Sequence, residues 1–212
     1  MKNIFERSKH VFHSDAFAEI IKDTIRFFNG TPIQYLPPRE SFLGTGVYAL
    51  YYIGKSKYYQ SLYDQNRTGY NQPIYIGKAV PHGWRQGRKL QGEQSNELYT
   101  RLCEHQHSIE AAKNLRLQDF MCRFMILEGA EADLIGTVEA ALIRSYHPIW
   151  NSCIDGFGNH DPGGGRYNQA RSDWDVLHKG RVWADKCMGK PLTLKAVEEK
   201  VRLYFEKDND NG

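Results

Sequence analysis

The chain has 212 residues, enough to bury one well-packed domain with room for insertions. Its 28 basic and 25 acidic residues leave a net charge of only +3, so a nucleic-acid surface must come from local patches rather than bulk charge. The sequence has no apolar run near the roughly 20 residues that span a bilayer, no long apolar leader at its start, and no CxxC pair among Cys103, Cys122, Cys153 and Cys187; it reads as a cytoplasmic, bacterial protein with reduced thiols.

Phe17, Ile20, Ile21, Ile25 and Phe28 recur at helical spacing over 15–28, with Ser14 as the N-cap and Gly30 as the stop. A loop marked by Pro32, Pro37 and Pro38 leads into a strand over 47–53. Residues 55–72 form a polar, tyrosine-rich insertion, closed by Pro73 before a second β-rich run, Ile74-Tyr75-Ile76. Residues 79–96 are polar and basic and read as loop, and Leu98, Leu102, His105 and Ile109 mark a second helix. Phe120, Cys122, Phe124 and Ile126 alternate as a third strand. A helix over 131–146 ends near Pro148. Residues 154–190, rich in Gly, Asp, Arg and Trp, read as long loops with short helical turns. The last helix, over 194–206, aligns Leu194, Val197, Val201 and Phe205 behind a Thr193 cap, and a disordered tail is expected over 208–212.

These elements predict an α/β chain of the α+β kind: a small, mainly antiparallel sheet of about three strands flanked by helices. One domain spans 1–212. Its core lies at 44–152, with a helical arm over 1–43, insertions at 55–72 and 79–96, and a C-terminal extension over 153–212.

Two segments carry most of the chemical information, Gly46-Val47-Tyr48 and Tyr75-Ile76-Gly77-Lys78. Two phenols on neighbouring strands could flank one phosphate. Arg101 and His105 are four residues apart and share one helix face, which a plain structural pair would also satisfy. Cys103, His105 and His107 have the composition of a zinc site, but residues two apart on a helix point about 200° away from each other and cannot converge. Glu139 has Ile135, Leu142, Ile143 and Tyr146 as same-face neighbours. A carboxylate on an apolar stripe needs a partner: an arginine, a proton or a divalent metal. One such carboxylate suits Mg²⁺ better than Zn²⁺, because Mg²⁺ keeps most of its waters and borrows phosphate oxygens. Asn151 can donate and accept at the edge of a site.

With these residues in place, the sequence resembles the GIY-YIG nuclease superfamily, in the form GVY…YIGK. The later motifs match at Arg101 with His105, at Glu139 and at Asn151. Two YIG triplets are present, and the first, Tyr52-Ile53-Gly54, follows Tyr48 too closely to lie on a facing strand. Tyr75 is therefore taken as the functional tyrosine and Tyr52 as core or sheet surface, with 27 positions between Tyr48 and Tyr75. Residues 41–52, 73–85 and 150–160 further resemble the type II restriction endonucleases that cut the palindrome CCGCGG.

The resemblance implies double-stranded DNA as substrate, a homodimer on the two-fold site, and a cognate DNA methyltransferase in the same system without direct contact. It also implies one divalent ion, Mg²⁺ or Mn²⁺, held by Glu139, with Arg101 neutralising the phosphate and Asn151 orienting phosphate or backbone. A tyrosine would take the proton of the attacking water. With a pKa of about 10, its ionisation at neutral pH costs about 4 kcal/mol, which His105 or Lys78 could offset. Tyr48 assisted by His105 is the favoured base and Tyr75 the ligand of phosphate or water, with the reverse assignment open. G·C-rich base edges favour basic side chains and amides in the major groove; the candidates are Arg85, Arg88, Lys89, Arg166, Gln169 and Arg171. Alternatives are a repair or mobile-element nuclease of the same superfamily, a catalytically inactive DNA-binding module, and a recombinase with several arginines around one tyrosine.

Overall fold

The computed structural model describes residues 5–81, 83–84, 95–163 and 165–210. Among them, β1 (Gln34–Tyr35), β2 (Gly46–Tyr52), β3 (Tyr75–Ala79) and β4 (Phe120–Ile126) form one antiparallel sheet in the order β1-β4-β2-β3. The predicted α+β class is correct, with one strand more than expected. β1 is only two residues long and lies between Pro32 and Pro37, too short to show a period.

Helix α1 (Asp15–Gly30) starts at Ser14, whose hydroxyl accepts from the Phe17 amide at 3.3 Å. Its stripe divides: Phe28 is buried and Ile21 and Ile25 pack behind it, while Phe17 and Ile20 each remain 45% exposed. Helix α2 (Gln60–Asn66) lies inside the 55–72 insertion. Helices α3 (Glu97–Ala111), α4 (Ile135–Tyr146) and α5 (Ile149–Ser152) follow. α4 is preceded by a 3₁₀ turn over Gly129–Leu134 and ends at His147, which is left-handed. The extension carries α6 (Asp173–Leu177) and α7 (Leu194–Asp210). The Thr193 hydroxyl accepts from the Ala196 amide, the cap expected at α7. α7 runs on to Asp210 where a disordered tail was expected from residue 208, because no Gly or Pro interrupts the helix before Gly212.

Every residue of β2 is buried because its faces meet different layers. Tyr48, Leu50 and Tyr52 join Leu98, Leu102 and Ile109 of α3 in an aromatic core, with Phe120, Trp150, Phe157 and Trp174. Val47, Ala49 and Tyr51 face Ile135, Val138 and Leu142 of α4 and Phe28 of α1. Fully burying a leucine or phenylalanine contributes about 1.5–3 kcal/mol, so β2 is pinned in register from both sides. Tyr52 is part of this core, edge-on to Tyr59 and Phe120, with its hydroxyl accepting from the Ser56 amide.

The insertion between β2 and β3 does not disturb the hairpin, since its two ends are tied together. Asn66, 1% exposed, donates to the carbonyls of Tyr52 (3.0 Å) and Gln72 (2.8 Å) and accepts from the Gln72 amide (2.9 Å). The Ile74 amide then bonds the Leu50 carbonyl at 2.8 Å, and β3 enters the sheet in register. Chain outside a tied base adds little closure entropy to the hairpin itself.

Candidate active site

The register fixes the two tyrosines. Tyr48 pairs with Gly77 and Leu50 with Tyr75, so Tyr48 and Tyr75 are diagonal neighbours on one face. Their ring centroids are 6.3 Å apart. Gly77 is required there: a Cβ on it would collide with the Tyr48 phenol. The glycine of the second motif thus makes room for the tyrosine of the first.

Helix α3 lays His105 over this pair. The imidazole is 2% exposed, and its Nε2 lies 2.5 Å from the Tyr48 hydroxyl. The ring stacks on Phe157 at 4.6 Å and stands 5.2 Å from the Tyr75 ring. Burial, with Arg101, His160 and Arg181 nearby, holds His105 well below its ordinary pKa, so the ring is neutral at pH 7. Burial, and then the neighbouring Tyr75, pushes the Tyr48 phenol well up, against the opposing pull of Arg101. Burial likewise raises Tyr75, with Arg101 opposing and the Glu139 carboxylate adding to the rise. At rest the pair is a neutral phenol on a neutral imidazole.

One turn before His105, Arg101 points its guanidinium at the C-terminal extension. It bonds Glu104 at 2.7 Å and the Gly158 carbonyl at 3.1 Å, and contacts His160. Glu139 comes from the other side of the sheet. Period-two alternation points Lys78 and Ile76 away from Tyr75 and toward α4. There the Lys78 ammonium meets the Glu139 carboxylate at 2.5 Å, with the carboxyl side chain 18% exposed. The partner that Glu139 needed on its apolar stripe is therefore a lysine. Lys78, put forward as an aid to tyrosine ionisation, lies on the α4 face by strand parity and is bonded there to Glu139.

Asn151 uses its whole amide on the backbone of β3, accepting from the Ile76 amide and donating to the Ile76 carbonyl, both at 2.8 Å. Cys103, His105 and His107 diverge as helical geometry requires, and no group of three ligating side chains occurs among the described residues. The four cysteines are free.

Of the basic residues put forward as base readers, Arg85, Arg88 and Lys89 lie outside the described residues. Arg166 and Gln169 are exposed. Arg171 pairs with Asp185 at 3.0 Å and, with Gln169, lines a cleft of about 590 Å³ that also holds Asn159, Trp183, Lys190 and Lys200. Sequence reasoning used 150–160 for the resemblance but gave the turn at 156–160, which reaches the tyrosine site, no role there, and it did not pick out Arg181, which bonds that turn. No periodic signal marks either one in a loop region.

The four-stranded antiparallel sheet flanked by helices is consistent with a GIY-YIG fold. The family model of the Eco29kI GIY-YIG domain matches residues 40–205, and the chain belongs to that family, one of type II restriction enzymes acting on DNA. A comparison with curated proteins found no match. Among the described residues, no helix is long and apolar enough to cross a membrane.

Proposed function

We propose that the protein is a site-specific endonuclease that hydrolyses double-stranded DNA with Tyr48 as general base. The observation that carries this reading is the short Tyr48–His105 hydrogen bond beside Tyr75, within electrostatic range of both Arg101 and Glu139. A phenol alone is a poor base at pH 7. A phenol already bonded to a neutral imidazole can take a proton from water while passing its own to Nε2, so that no free phenolate builds up. In the resting site Arg101, although paired with Glu104, disfavours a charge on His105. A scissile phosphate drawn to that guanidinium cancels this effect and raises the proton affinity of His105, which ties base activation to substrate binding. Tyr75 lies where it can orient the water or a phosphate oxygen, and Asn151 keeps the Tyr75 strand in place through Ile76.

Glu139 offers a single carboxylate, a donor set suited to hydrated Mg²⁺ or Mn²⁺ that shares phosphate oxygens rather than to an all-protein cage. When bound, the ion supplies charge stabilisation at the phosphate and the leaving oxygen. Lys78 balances Glu139 from the β3 side. The finer reading, a homodimer cutting the palindrome CCGCGG, rests on the family and on the two-fold symmetry of such a site.

Incubation with unmethylated plasmid or phage DNA tests the proposal. Discrete fragments whose ends map to CCGCGG sites are expected with Mg²⁺ and none with EDTA. Folded protein that cuts no DNA sinks the nuclease reading, and fragments ending elsewhere sink the specificity alone. Glu139→Gln is expected to bind DNA and not cut it; retained cutting would remove the metal assignment.

A further inference from the structure

Arg181 lies in the extension, at 5% exposure, and makes a bond with each of the five N–H groups of its guanidinium. Nε and Nη2 grip Asp175 at 2.7 and 2.8 Å. The remaining donors go to three carbonyls of a single turn: Gly156 at 2.8 Å, Phe157 at 3.0 Å and Asn159 at 3.0 Å. Trp174 and Trp183 offer their ring faces to the guanidinium carbon, at 4.5 and 4.7 Å. Burying a charge in this way is costly unless it is paired and fully bonded. Here one cation bonds three carbonyls of one turn, of which that of Gly156 also accepts from the Asn159 amide at 3.1 Å.

The same turn touches the site from three positions, Phe157, Gly158 and His160. Phe157 stacks on His105 and stands edge-on to Tyr75 at 4.9 Å. The Gly158 carbonyl accepts from Arg101, and a Cβ on Gly158 would come within 2.5 Å of the Tyr75 hydroxyl. His160 contacts the Arg101 guanidinium. The turn is therefore the outer wall for all the groups on the α3 side of the site, and Arg181 determines where that wall stands.

We infer that Arg181 is a positioning residue for phosphodiester cleavage, holding the 156–160 turn so that Phe157, Gly158 and His160 fix His105 and Arg101 in working geometry. The inference rests on the nuclease reading above. Lysine at 181 keeps the charge against Asp175 but cannot reach three carbonyls at once. In single-turnover cleavage with Mg²⁺, Arg181→Lys should lose about 10–100-fold in rate, the scale of a small misplacement near a reacting centre. DNA affinity measured with Ca²⁺ should be unchanged, and the midpoint of the pH–rate profile should move. A purely structural role would lower the folded fraction alone. Val201→Ala, a core truncation in α7 away from the turn, supplies that comparison: a lower Tm with the wild-type rate per folded molecule. Should Arg181→Lys fail to fold, Gly158→Ala moves the same turn without touching the buried charge and should show the same rate loss. A wild-type rate in the folded variant, or a loss that tracks only the folded fraction, overturns the inference. Wild-type protein that cuts no DNA would instead indict the nuclease reading.

Discussion

Replacing Tyr48 by phenylalanine removes one oxygen and two functions at once. The ring stays in place, since it is fully buried between β2 and α3. What is lost is the partner of His105 Nε2, 2.5 Å away, on an imidazole that is 2% exposed. Leaving a buried polar nitrogen unpaired costs about 1–3 kcal/mol. For a chain of this size each kcal/mol lowers Tm by roughly 2–4 °C, so Tyr48→Phe should melt some 2–12 °C lower while remaining folded. Removing a general base costs about 10²–10⁴-fold in rate, far more than the stability change can account for. Single-turnover cleavage with enzyme in excess, set beside thermal unfolding of the same preparation, separates the two effects. Tyr75→Phe is the paired control. Its hydroxyl lies against Gly158 rather than on His105, so it should lose less activity than Tyr48→Phe. The reasoning fails if Tyr48→Phe cuts DNA at close to the wild-type rate. A near-complete loss confined to Tyr75→Phe would reverse the roles of the two tyrosines.

Two further outcomes follow from the buried polar groups. Asn151→Ala strips both hydrogen bonds from Ile76, one residue from Tyr75, and should cost about 1–3 kcal/mol in urea unfolding; cleavage should fall with DNA affinity retained, and an unchanged rate would show that Asn151 does not set the strand. His178, which bonds the Tyr59 hydroxyl at 2.6 Å, has its pKa pushed down to about 3 by burial and then by Arg181. Its folded pKa lies below the unfolded one, so the unfolded chain binds more protons in acid, and the stability His178 contributes is present above about pH 6.5 and lost as pH falls toward 3. Between pH 7 and pH 5 this group alone removes about 2 kcal/mol, and His105, shifted in the same direction, adds to it. Chemical unfolding at the two pH values reads the change; equal stability at both would contradict it.

Legibility in the sequence followed the length scale of the pattern. β2, β4, α1, α3 and α4 carry periodic apolar residues over five or more positions, and each was placed correctly. β1 and α2 were missed because a two-residue strand between prolines and a seven-residue helix in a tyrosine-rich insertion leave no readable period. The encounter of Tyr48, Tyr75 and His105 was expected from the family resemblance, while strand alternation served only to set Tyr52 aside. The partner of Glu139 was not expected, because alternation puts Lys78 on the face of β3 opposite Tyr75 but does not say that α4 covers that face. Arg181 was invisible for a similar reason. Its acceptors are main-chain carbonyls, which have no sequence signature.

The grip of Asn151 on Ile76 also bears on how copies of the chain can meet. A bare outer strand invites another chain to lengthen the sheet. At β3 that invitation is withdrawn: the Ile76 amide and carbonyl are taken by Asn151, and the Ile74 carbonyl accepts from the Trp150 amide at 3.0 Å. A sequence-distant asparagine thus imitates one rung of a neighbouring strand without offering a second edge. A chain that lengthened the sheet at β3 would first have to displace Asn151 from Ile76 and the Trp150 amide from Ile74.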